Sequence, residues 1–123
     1  MERVYFTEYK GKKFLYIDMS KCNEDEMIAV IANATKIIRS QPEKSVFSLT
    51  NVTDAWFCPE VNDAMKEFLS GNKPYVVAAA VVGVSGSKIM KVFGRKLVLF
   101  DTIEQAKEWL VNRIENPAYY GDT

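Results

Sequence analysis

Gly83, Gly86 and Lys88, in the stretch "AVVGVSGSK" from Ala80 to Lys88, come nearest in this chain to the outline of a phosphate-holding loop. A Walker A loop sets four residues between its glycines and places a lysine, then a hydroxyl residue, directly after the second, so that successive amides wrap a phosphate. Here two residues separate the glycines, Ser87 stands before the lysine and Ile89 after it. The three-glycine dinucleotide pattern fails as well. What remains is the end of an apolar strand followed by a helix start, with Ser85 and Ser87 as caps. Free amides at such a start can receive a small anion, but capping is the simpler reading.

A second group lies in "TNVTDAWFCPEV", Thr50 to Val61, between a strand and a helix. In parallel α/β sheets ligands gather beyond the carboxyl ends of strands, so Asn51, Thr53, Asp54 and Trp56 are expected to share one rim with Ser85, Gly86, Ser87 and Lys88. Trp56 and Phe57 form an aromatic pair, and covering the core is the commoner use of such a pair in a loop. Cys58 stands near a helix start, where the dipole can lower a thiol pKa, yet an inert cysteine is the more frequent case. Lys88, Lys91, Arg95 and Lys96 form a local basic patch. A solvated face is its ordinary reading, with docking of an acidic surface or lipid headgroup as the other.

Composition removes several kinds of chemistry. The chain has no histidine, which excludes triads that use it and the commonest metal ligand. Two cysteines, Cys22 and Cys58, cannot build a tetrahedral zinc site in the usual way, and Asn23, Glu24, Asp25 and Glu26 lack the spaced loop of a calcium hand. No catalytic residue, metal or cofactor is expected. An enzyme using Asp54, Lys88 or Cys58 is the weakest hypothesis, because the residues offer no convergent pair. Sixteen basic residues balance sixteen acidic ones, so no general attraction to nucleic acid follows. The absence of a CxxC pair, a leader or an apolar run near the roughly 20 residues of a membrane span makes a reduced cytoplasm the expected location.

The elements that must position these residues read as one domain over residues 1–116, with 117–123 as a tail. With 123 residues and 48% hydrophobic content there is material for a single core. "RVYFTEY" and "KFLYID" form a hairpin through Lys10-Gly11-Lys12. Asn23 and Glu26 make a capping box for a helix whose Met27, Val30, Ile31, Ala34, Ile37 and Ile38 share a stripe, and Pro42 ends it. "SVFSLTNV" is a third strand. Pro59 opens a helix with Val61, Ala64, Met65, Phe68 and Leu69 on one face, closed by Gly71. "YVVAAAVVGV" is the central, most buried strand. A short helix from about Ser87 to Phe93 leads to "KLVLF", and Thr102 with Gln105 caps a last helix before Pro117. The expected fold is α/β: a five-stranded, mostly parallel sheet with an N-terminal hairpin and about four helices.

In this order of elements, and in "KSVFSLTNVTDAWF", "NKPYVVAAAVVGVSG" and "GRKLVLFDTIEQAKEWL", the chain resembles the STAS domain, specifically the SpoIIAA-like group of small proteins sometimes labelled STAS/SEC14-like. The resemblance covers most of the chain and implies a one-sided β/α superhelical fold that acts by docking onto partner proteins, without catalysis. Phe57, Cys58 and Pro59 stand where the family's phosphorylated D-S-S-G-type loop would lie, so its phospho-switch does not carry over to Thr50 or Thr53. Two functional expectations follow. One is a regulatory module that binds a protein through residues 50–58 and 83–91. The other, suggested by the SEC14 side, is a carrier or sensor of a small hydrophobic, lipid-like or anionic ligand. Domains of this size also often pair as homodimers.

Overall fold

The computed structural model describes residues 2–84, 89–92 and 95–115, with side chains from 98 onward in the last stretch and none for 89–92. Its α/β architecture is a six-stranded sheet in the order β1-β2-β3-β4-β6-β5, with three helices among the described residues. β1 (Val4–Tyr9) and β2 (Lys12–Asp18) form the expected antiparallel hairpin. Lys10 and Gly11 both take positive φ, 52° and 79°, the left-handed pair that a two-residue turn between twisted strands requires.

α1 (Glu24–Arg39) starts on the capping box read from the sequence: the Asn23 side chain accepts from the Glu26 amide at 2.9 Å, and the Glu26 carboxylate accepts from the Asn23 amide at 2.9 Å. Its stripe Met27, Val30, Ile31, Ala34 and Ile38 is buried. β3 (Val46–Asn51) and β4 (Val76–Val82) occupy the middle of the sheet, parallel to each other, and β2–β3 and β4–β6 (Arg95–Phe100) are parallel as well; β4 is central but not the most buried strand, because Val76, Ala79 and Val81 line an open space and are only half-buried. α2 (Pro59–Asn72) begins with proline in its first turn and runs through Gly71 to Asn72. Gly71 is therefore not a terminator. A Cβ there would strike the Arg39 guanidinium, so the glycine lets the ends of α1 and α2 approach. α3 (Ile103–Glu115) is opened by the second expected box, in which Thr102 Oγ1 accepts from the Gln105 amide at 3.2 Å.

One element was misread. Ile89–Val92, expected to be helical, is β5, antiparallel to β6 with Val92 opposite Arg95. A helix of about two turns has few internal hydrogen bonds to offset its nucleation cost, and Ile89 and Val92 are β-branched, so edge pairing wins. The sheet thus gains a sixth strand and loses the fourth helix. The 117–123 tail lies outside the described residues.

Helices α1 and α2 lie on one face of the sheet, over Leu15, Ile17, Val46 and Val52; α3 lies on the other, over Phe14, Leu49, Ala78, Ala80 and Val82. Among the described residues no helix is long and apolar enough to cross a membrane.

Candidate functional site

The loop after β3 is fixed by its own polar side chains. Asn51 Oδ1 accepts from the Thr53 amide at 3.1 Å and from Thr53 Oγ1 at 2.6 Å, and Asn51 Nδ2 donates to Tyr16 Oη at 3.2 Å. Asn51 and Thr53 therefore build the turn through bonds to each other. Asp54 is exposed and takes a positive φ of 55°, a conformation that aspartate tolerates better than most side chains. Backbone bonds from Met19 to Asn51, Lys21 to Thr53 and Trp56 to Cys22 fasten this loop to the segment after β2.

The tip of β4 meets the same loop. Val52 N–H donates to Val82 carbonyl at 2.8 Å, and Gly83, at φ 104°, sits so close that a Cβ would lie 2.5 Å from the Thr53 nitrogen. The ends of β3 and β4 thus share one rim. Ser85, Gly86, Ser87 and Lys88 lie outside the described residues; Lys91 lies on β5, opposite Lys96, at the far edge of the sheet. The helix start that Ser85 and Ser87 were expected to cap is replaced, from Ile89, by a strand.

Of the aromatic pair, Trp56 is 63% exposed and covers little core, against expectation. Phe57 is 47% exposed and also lines the interior space described below, so it reaches both solvent and inside.

Cys58 is the N-cap residue of α2 and donates through Sγ to Glu24 Oε1 at 3.1 Å. A hydrogen bond from the Val61 backbone draws its thiol pKa down, but the bond to Glu24, burial and the Glu60 carboxylate outweigh it, and the net displacement is upward. The helix-start argument for a reactive thiolate fails, because two acids surround the thiol. Ligand atoms of Glu24, Cys58 and Glu60 lie within 4.8 Å of one another, at a surface where both carboxylates are exposed. Burial likewise raises the Cys22 thiol, with Arg3 opposing it.

The feature that the sequence did not place lies between α2 and the sheet. A cavity of about 200 Å³ is walled by Met65, Phe68, Leu69 and Asn72 of α2, by Ile38 of α1, and by Ile17, Ser48, Thr50, Val76, Ala79, Val81 and Leu99 of the strands. Val52, Phe57 and Val84 close it at the rim. α2 leans on α1 and stands off the strands beneath it, which opens the space. Along β4 the wall runs from Val76 to Val81, roughly 15 Å at the ordinary rise of a strand. The lining is almost wholly apolar.

Its polar members are Ser48 and Thr50, which alternate with Phe47 and Leu49 so that they face the α1–α2 side, and Asn72. Ser48 and Asn72 are the buried polar residues among those described, 5% and 2% exposed. A serine within a central strand, "VFSL", was the available signal for Ser48. Asn72 gave none, since Gly71-Asn72 reads as ordinary helix-stop chemistry.

A comparison with protein-family models gave no match, and searches of curated proteins and of solved structures gave none.

Proposed function

We propose that this domain binds a small apolar molecule between α2 and the β3–β4 strands, without catalysis. The cavity carries the reading. Well-packed interiors leave few voids larger than a water molecule, and a lined apolar space of about 150 Å³ is already enough to take up benzene. The space here is about 200 Å³, and it meets solvent beside a half-exposed phenylalanine. The space reaches Val52 and Val84, at the carboxyl ends of β3 and β4, the edge of an α/β sheet beyond which ligands of such folds collect.

Native mass spectrometry of freshly purified protein, with n-octane titration followed by amide shifts, tests this reading. A retained small mass, or shifts confined to the cavity wall and abolished by Ala79→Leu, is expected. Wild-type protein that carries nothing and shows no saturable octane shifts overturns it.

Docking of a protein partner on the rim is the second reading, and the exposed Trp56 favours it. Large aromatics left exposed beside a cleft are characteristic of contact surfaces. A capture experiment in which Trp56→Ala releases a partner while octane binding persists would place partner and ligand on separate surfaces. The finer assignment, a STAS-like domain, is also a proposal. The hairpin followed by alternating strands and helices supports it, and β5, standing where a helix was expected, is its departure.

A further inference from the structure

Ser48 and Thr50 are the polar side chains of β3 on the α1–α2 side of the sheet, and both belong to the wall of the cavity. In the parallel register Ser48 lies beside Leu15 of β2 and Ala79 of β4, and Thr50 lies beside Ile17 and Val81. None of these four neighbours has a side-chain atom that can donate or accept a hydrogen bond. Across the space stand Met65, Phe68 and Leu69 of α2, which offer at most a thioether sulfur.

Among the described residues neither hydroxyl makes a hydrogen bond, and neither is one of the partnerless side-chain atoms there that have lost their accessible surface. Each therefore keeps some open surface, and the cavity is what that surface meets: Ser48 is only 5% exposed as a whole, on the face where the cavity lies. Asn72, the third polar residue of the wall, is different. Its Oδ1 accepts from Arg39 Nε at 3.0 Å, and its Nδ2 is closed off. The hydroxyls of β3 are the polar groups within reach of a guest.

A buried hydroxyl left without a partner costs free energy, and native interiors contain few. A pure hydrocarbon in this cavity leaves two of them unpaired. An ion is also a poor guest, because no charged residue lines the cavity and its lost hydration would go unmatched. Side chains two residues apart on a strand stand roughly 7 Å apart. That is not far above twice the length of an O–H···O bond, about 2.8 Å, so one oxygen held between the rotatable hydroxyls comes within reach of both.

We propose that Ser48 and Thr50 form the polar contact of the cavity, and that its ligand is an uncharged, lipid-like molecule with a carbonyl or hydroxyl oxygen inside its chain rather than at its end. The inference rests on the apolar-ligand reading of the same cavity and adds the chemistry of the ligand and the place of its oxygen. Apolar wall lies to either side of the pair: Val76, in register with Val46, beyond Ser48, and Val52 beyond Thr50.

The test titrates n-octane and 4-octanone into wild-type protein, Ser48→Ala and Thr50→Val. The ratio of ketone affinity to alkane affinity is expected to fall roughly fivefold in each variant, the worth of one neutral hydrogen bond, while the octane affinity stays within about twofold. On wild-type protein the infrared carbonyl band of bound 4-octanone should lie below its position in hexane, and it should return toward that position when both hydroxyls are removed.

A ratio unchanged in both variants, or a carbonyl band at its hexane position on wild-type protein, overturns the polar contact. If one variant fails to fold, the other variant and the wild-type band decide. Octane bound with the ketone indifferent to both hydroxyls sinks the polar contact and leaves the cavity reading standing; neither compound bound sinks both.

Discussion

The two faces of this sheet are built on opposite plans. Under α3 the strands present Phe14, Leu49, Ala78, Ala80 and Val82 to Ala106 and Leu110, all buried, and the alanines on both sides let helix and sheet approach closely. Under α2 the neighbouring residues of the same strands, Ser48, Thr50, Ala79 and Val81, look into open space. One strand serves both plans, because successive side chains point to opposite faces. The filled face can supply cohesion, and the hollow one is where we propose that a guest sits.

The sharpest way to break this contrast is to remove equal volume from each side. Leu110→Ala, at a site with no exposure, is expected to cost about 3 kcal/mol, whereas Leu69→Ala, on the wall of an existing cavity and half-buried, should cost about 1 kcal/mol. Urea unfolding of both variants decides it, and equal losses would mean that the α2 face is as well packed as the α3 face.

Adding volume should give a smaller split. Ala80→Leu forces a branched side chain into the closed face and should cost about 2 kcal/mol. Ala79→Leu, one residue away, projects into the cavity and should change stability by less than about 1 kcal/mol, because the new side chain finds space and apolar contacts.

The smallest expected effect concerns the rim of the filled face. Glu108 on α3 accepts from Tyr9 Oη at 2.8 Å and pairs with Lys10 at 2.5 Å. The Lys10 bond, then the Tyr9 bond, hold its carboxyl below the ordinary value of 4.5, while the same carboxylate raises Lys10 and Tyr9. A depressed folded-state pKa means that this contribution is present above the unfolded carboxylate range and fades as pH falls through the folded value. Glu108→Gln should therefore flatten the acid limb of a stability–pH profile slightly, measured as urea midpoints from neutral pH downward. These groups are exposed, so the change is small.

Much of this architecture was legible before any coordinates. The Asn23–Glu26 and Thr102–Gln105 boxes, the turn at Gly11 and the apolar β4 are local signals, and local chemistry decides them. The misread segment, Ile89–Val92, is short, and its state depends on a neighbour, β6, that brings an edge to pair with. The cavity was legible only as a question. Its wall mixes residues from β2, β3, β4, β6, α1 and α2, and whether those surfaces touch depends on how α2 leans, which no periodicity records. Trp56 was misjudged for a related reason: a loop aromatic covers core only if the backbone turns it inward, and the bond from its own N–H to Cys22 carbonyl anchors the backbone with the indole outside.

The clasp between the hairpin tip and α3 joins residue 9 to residue 108, almost the whole described chain apart. A ribosome delivers the amino end first, so Phe14 and Leu49 must wait, uncovered, until α3 has left the exit tunnel. Contacts of such long reach also slow folding. A nascent or truncated chain lacking 103–115 would show a bare greasy flank to chaperones, and the emergence of α3 becomes the step that covers it.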